Sequence, residues 1–351
     1  MTESTAAAWA EPVQLDDRDL EIVDALQVNP RATWATVAEV LAVSPLTVAR
    51  RWGKLQEMGL AWVEAGPGPA LFRGVFLMVR CRRGDIGRTA QALSSMPDVV
   101  TVGRLLGLHD LYAIAVAPSP AAVRGLMTER IDRLGAEEVQ ASVYTRVLGG
   151  PSWRIAVLDR QQAEALRHPR VRALRPLEIT AEDRALFAAL NQDGRRSWAE
   201  LAGELSSTPA AVRRRTEHLR RRGTLAFRVD LARPSAGWPY AALVRVRVDE
   251  RTVGEVARDL GTWSASRFVA QAIGPANLLW VVSLHDSDAL HPLLADLRRR
   301  HADLEVLEAA LIPEISKLHG RVLDDRGRAV SQVPVDPWHA ERSEWAPGSG
   351  G

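Results

Sequence analysis

Cysteine occurs once in the 351 residues, at Cys81. A single thiol excludes an intramolecular disulfide and leaves nothing for a cysteine-based zinc site. No apolar run approaches the roughly 20 residues that cross a bilayer. The opening stretch "MTESTAAAWAEPVQLDD" has acids where a secretory leader carries basic residues, so a cytoplasmic location without membrane contact is expected. The eight histidines show no HxxxH or HxH spacing, so no metal site is expected. Phosphate loops, dinucleotide fingerprints and a nucleophile elbow with a partnered acid and base are missing too. The expectation is therefore a protein that is not an enzyme and needs no cofactor. Net charge is only +2, so any polyanion site has to be a local patch. The chain is also longer than single cores usually grow, which calls for two or more domains.

What is present is a repeat. Residues 15–63 align without a gap to residues 179–227 at a shift of 164, with 14 of 49 positions identical. Among the pairs are Trp34 and Trp198, Pro45 and Pro209, Arg50 and Arg214, and Gly59 and Gly223. Each copy reads as three helices. Ile22, Val23 and Leu26 recur at helical spacing behind an acidic start, "NPR" breaks the helix, and a helix of about two turns follows Trp34. Ser44-Pro45 and Thr208-Pro209 then each supply a hydroxyl N-cap and a proline at the first helical position. Gly59 and Gly223 are the expected glycine C-caps. Helix, tight turn and capped helix is the helix-turn-helix order.

At about 100 degrees per residue, Val212, Thr216 and Leu219 form the buried stripe of the last helix. Arg213, Arg214, Arg220 and Arg221 then share the outward surface, while Arg215 and Arg222 flank the core on the other side. In the first copy Arg50 and Arg51 match Arg214 and Arg215, Lys54 matches His218, and Glu57 stands where the second copy has Arg221. Residues 15–63 hold five basic and seven acidic side chains, net −2, against nine and six, net +3, in residues 179–227. The second copy is the better polyanion reader. Candidate DNA-facing residues are Thr208, Arg213, Arg214, His218, Arg220 and Arg221, with Ser44, Arg50, Arg51 and Lys54 in the weaker copy. Arg213 and Arg214 are assigned to base edges, and Arg220, Arg221 and Lys54 to phosphates. Trp34 and Trp198 are expected to be packing residues.

The pattern "LNQDGRRSWAELAGELSSTPAAVRRRTEHLRRRG" resembles the helix-turn-helix of the Lrp/AsnC family of transcription regulators, here in a duplicated form. The resemblance implies an α+β fold: two copies of a winged-type helix-turn-helix, each followed by a hinge and a βαββαβ ferredoxin-like ligand-sensing domain. Strand and helix patterns fit in both halves, from "GVFLMVRC" to "VQASVYTRVL" and from "AALVRVRVD" to "LEVLEAALI". The expected plan is a disordered tail (1–14), helix-turn-helix (15–63), hinge (64–73), sensing domain (74–150), linker (151–178), helix-turn-helix (179–227), hinge (228–238), sensing domain (239–315) and C-terminal tail (316–351). The end "RSEWAPGSGG" reads as disordered.

The family's glycine-x-x-aspartate effector turn is matched by Gly107 and Asp110. In the second half, Gly274 is kept and Asn277 replaces the acid, removing the charge that would receive a ligand ammonium. The resemblance implies double-stranded DNA as partner, a small-molecule effector such as an amino acid, and pairing of sensing domains, either in a homo-oligomer or as a pseudo-dimer within one chain. Two other readings remain open. Siroheme decarboxylases share the duplicated architecture, and Arg104 and His109 are the residues that would serve a tetrapyrrole here. The other reading is an effector-binding module with vestigial DNA-binding units.

Overall fold

A computed structural model describes residues 13–68, 71, 73–149, 153–167 and 178–339. The disorder expected for 1–12 and for "RSEWAPGSGG" lies outside the described residues, while residues 13 and 14 are exposed coil. The first three-helix unit is α1 (Asp17–Val28), α2 (Trp34–Leu41) and α3 (Pro45–Glu57). Each helix begins on a side-chain cap. Asp16 accepts from the Asp19 amide, Thr33 from Thr36 and Ser44 from Thr47, which satisfies one of the open amides of each first turn. Ile22, Leu26, Val37, Val48, Trp52 and Leu55 are buried together between the helices.

Gly59 ends the last turn at φ +66°, and a Cβ there would sit 2.3 Å from the Ala329 carbonyl oxygen. Conformation and crowding both require glycine at that point.

The chain then forms β1 (Ala61–Pro67), followed by a sensing unit of β2 (Arg73–Arg80), α4 (Ile86–Ser95), β3 (Val99–Arg104), β4 (Leu111–Ala117), α5 (Pro120–Gly125) and β5 (Glu138–Gly149). Beyond α5 the helical path widens into a π turn over Leu126–Ile131. Helix α6 (Arg160–Leu166) follows. The second half repeats the order with α7 (Ala181–Gln192), α8 (Trp198–Glu204), α9 (Pro209–Arg221), β6 (Leu225–Leu231), β7 (Tyr240–Val248), α10 (Val253–Leu260), β8 (Ser266–Ile273), β9 (Leu278–Leu284), α11 (Leu290–Arg300) and β10 (Leu304–Ile312). It ends in β11 (Ile315–Leu318), β12 (Arg321–Leu323) and β13 (Ala329–Gln332).

Segments read as hinges and as a tail are structured. β1 pairs antiparallel with β6 over seven residues from each, Ala61 opposite Leu231 and Pro67 opposite Leu225. In this register Glu64 faces Arg228, and these are equivalent positions of the 164-residue repeat. The pseudo-twofold relation between the halves therefore passes through that pair. The eight sensing-domain strands run β10-β7-β9-β8-β5-β2-β4-β3. β5 and β8 join the two domains along one seam, and a Leu106–Leu311 bridge joins them along the other. Between the stacked faces lie Phe76, Met78, Tyr112, Leu243, Leu279 and Ile312, while a separate core lies under the helices of each domain.

The stretch expected to be a tail adds β11 to the open edge of β3, with β12 and β13 beyond it. Its apolar signal is short, which is why periodicity alone reads as loop. Lys317 in β11 is fully buried and donates Nζ to the Met96 carbonyl at 2.8 Å. Burial lowers its pKa from 10.5 to about 8, with Asp98 opposing the shift. Between those two values the unfolded chain binds more protons than the folded one, so stability rises with pH across that window and is lowest below it. Lys317→Met is expected to raise neutral-pH stability by about 2 kcal/mol, after deducting the lost hydrogen bond. It should also flatten the alkaline rise. Urea unfolding at pH 7 and pH 10 checks both.

Candidate nucleic-acid interface

Helix α9 starts on Thr208, whose hydroxyl accepts from the Ala211 amide at 3.3 Å, and it buries Val212, Thr216 and Leu219. Arg213 and Arg214 are exposed and have no protein partner among the described residues. Arg221 is 60% exposed and only 3.9 Å from Glu217. His218 is half-buried. Arg220 departs from the expected outward face. Its side chain is 13% exposed, and Nε and Nη2 both donate to the Glu217 carboxylate, at 2.9 and 2.7 Å. An i,i+3 acid on the same helix face captures it, so it is not a free cation for phosphate.

The weaker copy differs in the same manner. Ser44 caps α3, and Arg50 and Lys54 are exposed. Arg51, expected to face DNA, turns back to α1 and donates to Asp16 and Asp19, each at 2.8 Å. Those hydrogen bonds raise its pKa and hold the charge in place. Arg215 does the same in the second copy, with Nε 2.6 Å from Asp183. The pair Arg51 and Arg215 thus ties each last helix to the first helix of its own unit.

What the sequence reading missed is how the two units hold each other. Arg31 stacks on the Trp198 ring at 3.7 Å and donates to the carbonyls of Gly194 and Arg196, at 2.5 and 2.8 Å. Its repeat equivalent, Arg195, stacks on Trp34 at 3.8 Å and donates to Pro30 and Ala32, at 2.6 and 2.9 Å. Burial lowers both guanidinium pKa values to about 10, so both stay charged at neutral pH. Trp34 and Trp198 pack, as expected, but what they pack against is the other unit's arginine. The available signal was the conservation of both residue types at one shift within a single chain.

The two glycine turns lie between β3 and β4 and between β8 and β9, and each abuts the last strand of the other sensing domain. A Cβ on Gly107 would meet Ala310 Cβ at 2.9 Å and Glu308 Oε1 at 3.1 Å; on Gly274 it would meet Ser142 Oγ at 3.0 Å. The missing Cβ leaves room here for side chains of the other domain's last strand. Asp110 accepts from the Cys81 amide at 2.7 Å. Asn277 accepts from the Val248 amide at 2.9 Å and also donates to the Val248 carbonyl. Both residues therefore cap the end of a neighbouring strand.

Beside the first turn lie a buried Arg245–Glu308 pair at 3.0 Å, and Gln140, which accepts from Arg245 at 2.7 Å. His109 is buried nearby, and burial lowers its pKa. At the second turn Arg247 donates to the Pro275 carbonyl at 2.7 Å. Arg104, the other residue offered for a tetrapyrrole, faces Glu314 at 3.5 Å. Among the described residues no helix is long and apolar enough to cross a membrane.

The AsnC-type helix-turn-helix domain model matches residues 15–56 and again 179–220, and the Lrp/AsnC ligand binding domain model matches residues 74–149. An uncharacterized HTH-type transcriptional regulator of Pyrococcus horikoshii is 22% identical over 144 residues, which cover 41% of this chain and 91% of the relative. One from Pyrococcus furiosus is 25% identical over 136 residues, covering 38% of this chain and 92% of the relative. Each relative thus corresponds in length to one half of this protein. Among solved structures, the siroheme decarboxylase NirDL aligns over 93% of this chain and 98% of its own at 12% identity and a TM-score of 0.59, a likeness of fold. Two AsnC-type helix-turn-helix matches in one polypeptide, with the family's ligand-binding domain following the first, place this chain in the Lrp/AsnC family as a tandem member.

Proposed function

We propose that the protein is a sequence-specific, DNA-binding transcriptional regulator under small-molecule control, with its two unequal readers addressing an asymmetric operator. The observation that carries this reading is the free, exposed pair Arg213 and Arg214 on the capped last helix of the second unit. A guanidinium at that point of a recognition helix can pair bidentately with guanine. Phosphate contacts fall to Arg221 and Lys54, since Glu217 occupies Arg220. The first glycine turn, which keeps Asp110 and borders Arg245 and Glu308, is the better candidate for an amino-acid effector than the second, where Asn277 carries no charge. Arg104 faces Glu314, and His109, though its buried Nδ1 has no hydrogen-bond partner among the described residues, lies beside the Arg245–Glu308 pair at the first glycine turn. The free arginine pair on α9 is what favours the regulator over a tetrapyrrole enzyme.

Genomic fragment selection followed by titration of the selected duplex tests the reading. Arg214→Ala is expected to cost about 1–3 kcal/mol on the selected site and to relax its base preference. Arg221→Ala should weaken all sequences alike and lower the salt slope by about one. Equal effects of the two substitutions would overturn the division of roles. No duplex binding even at low salt would favour the vestigial module.

A further inference from the structure

The β1–β6 ribbon and the stacked sheets enclose a cavity of about 150 Å3, lined by Tyr112, Tyr144 and Phe268 on the sheet side and by Glu64, Arg228, Arg233 and Arg267 around its polar end. A void of that size holds a benzene ring. It is separate from both glycine turns and from the exposed faces of α3 and α9.

Arg267 is the informative group. It is 7% exposed, and its guanidinium lies 3.5 Å from the Trp153 ring centre and 4.8 Å from that of Trp238. Nη1 donates to the Ser264 carbonyl at 2.9 Å, whereas Nε and Nη2 are buried without an acceptor. The indoles offset part of the cost of the buried charge, but they occupy the face of the guanidinium plane. Donors at its edge need an acceptor in that plane. Among the described residues none of the arginines 228, 233 and 267 has a carboxylate within 4.0 Å.

Three acid and histidine atoms also meet at this end. Glu64, Asp230 and His319 offer ligand atoms within 4.8 Å of one another, with His319 Nδ1 2.6 Å from Asp230 Oδ2 and 3.6 Å from Glu64 Oε1. A cation there would face three guanidinium groups. Burial also drives Glu64 toward its protonated form. Charge therefore favours an anion over a metal.

We propose that the cavity binds a small monocarboxylate with an aromatic or branched apolar body, its carboxylate paired with Nε and Nη2 of Arg267 and its body against Tyr112, Tyr144 and Phe268. A carboxylate matches the two-donor edge of a guanidinium and satisfies both orphaned groups at once. Burial of a ring-sized body against the aromatic side chains supplies the remaining affinity.

The test uses the full chain without DNA, so its outcome is independent of the regulatory reading. Benzoate, phenylacetate, the neutral benzamide and the cationic benzylamine are titrated calorimetrically and by tryptophan emission, which Trp153 and Trp238 report beside Arg267. A carboxylate is expected to bind at least about tenfold tighter than benzamide and to shift the emission. Arg267→Met and Arg267→Lys are each expected to lose about tenfold or more, the lysine variant keeping the charge but not the fork. Arg299→Ala, on the exposed face of α11, serves as a control and should bind as the parent does. Three results would overturn the proposal: no carboxylate binding up to about 10 mM, preference for benzylamine or for Zn2+ alone, or equal loss in the Arg299 control. Chemical denaturation of the lysine variant separates lost binding from lost folding.

Discussion

Arg195→Ala is expected to lower stability by about 3 kcal/mol and to uncouple the two helix-turn-helix units. The side chain donates two charged hydrogen bonds, to Pro30 and Ala32, and covers the Trp34 ring. Bonds of that kind contribute about 1.5–3 kcal/mol each, and a desolvated cation over indole contributes about 2. Against this stands the cost of the buried charge. A fall in pKa from 12.5 to about 10 corresponds to roughly 3 kcal/mol. The net remains a loss, because truncation leaves two carbonyls without donors and a gap beside Trp34. Arg195→Met, which restores volume but not the donors, should recover part of it.

Arg31 lies close enough to lower the pKa of Arg195, so the double substitution should cost less than the sum of the single ones. Urea midpoints measure the stability. Duplexes carrying one or both half-sites measure the uncoupling, because the variant should hold a single half-site as the parent does and lose the gain from the second. Unchanged discrimination between the two duplexes would show that the clasp does not couple the readers.

Asp24→Ala is expected to destabilise by about 3–5 kcal/mol. Asp24 is fully buried in α1, yet its carboxylate is saturated. It accepts Nε and Nη2 of Arg154, both at 2.8 Å, and the Leu158 amide at 2.9 Å. Removing it strands a guanidinium and an amide together. The segment from Trp153 to Leu166, which packs Leu158 and Leu166 on the first unit, should then detach. Limited proteolysis within residues 153–167 should accelerate in step with the drop in urea midpoint. Asp24→Asn, which keeps one acceptor, should fall between the parent and alanine. A neutral alanine variant would mean that the segment is held by its apolar contacts alone.

These two sites show where sequence reasoning ran out. The three-helix units were legible because caps, proline positions and core spacing are local, and Ser44 and Thr208 act as the caps expected of them. The alternation in β7 was legible too, with Val244 and Val246 under the helices and Arg245 and Arg247 on the opposite side. What lay opposite them was not. The outer face of one domain is the inner face of a pair, so Arg245 is buried against Glu308 and Gln140. Arg51 and Arg220 were read as outward-facing without their partners for the same reason. A helical wheel gives direction but not partners, and Asp16, Asp19 and Glu217 claimed both groups. The hinge stretches carried no strand signal of their own because each is stabilised by its counterpart in the other half of the chain, Ala61 opposite Leu231 and Pro67 opposite Leu225.

The Glu64–Arg228 register has a consequence for how the molecule can be taken apart. On the twofold axis of a homodimer, a residue meets its own copy. Two copies of the first half would set Glu64 against Glu64 where each is shielded from water, and two copies of the second would set Arg228 against Arg228. Only the unlike combination sets a carboxyl group beside a guanidinium at the axis, where Arg228 opposes the rise that burial imposes on the Glu64 pKa. The difference between the halves at this one position therefore favours unlike over like pairing at the axis. In the fused chain both halves find the unlike partner across that register.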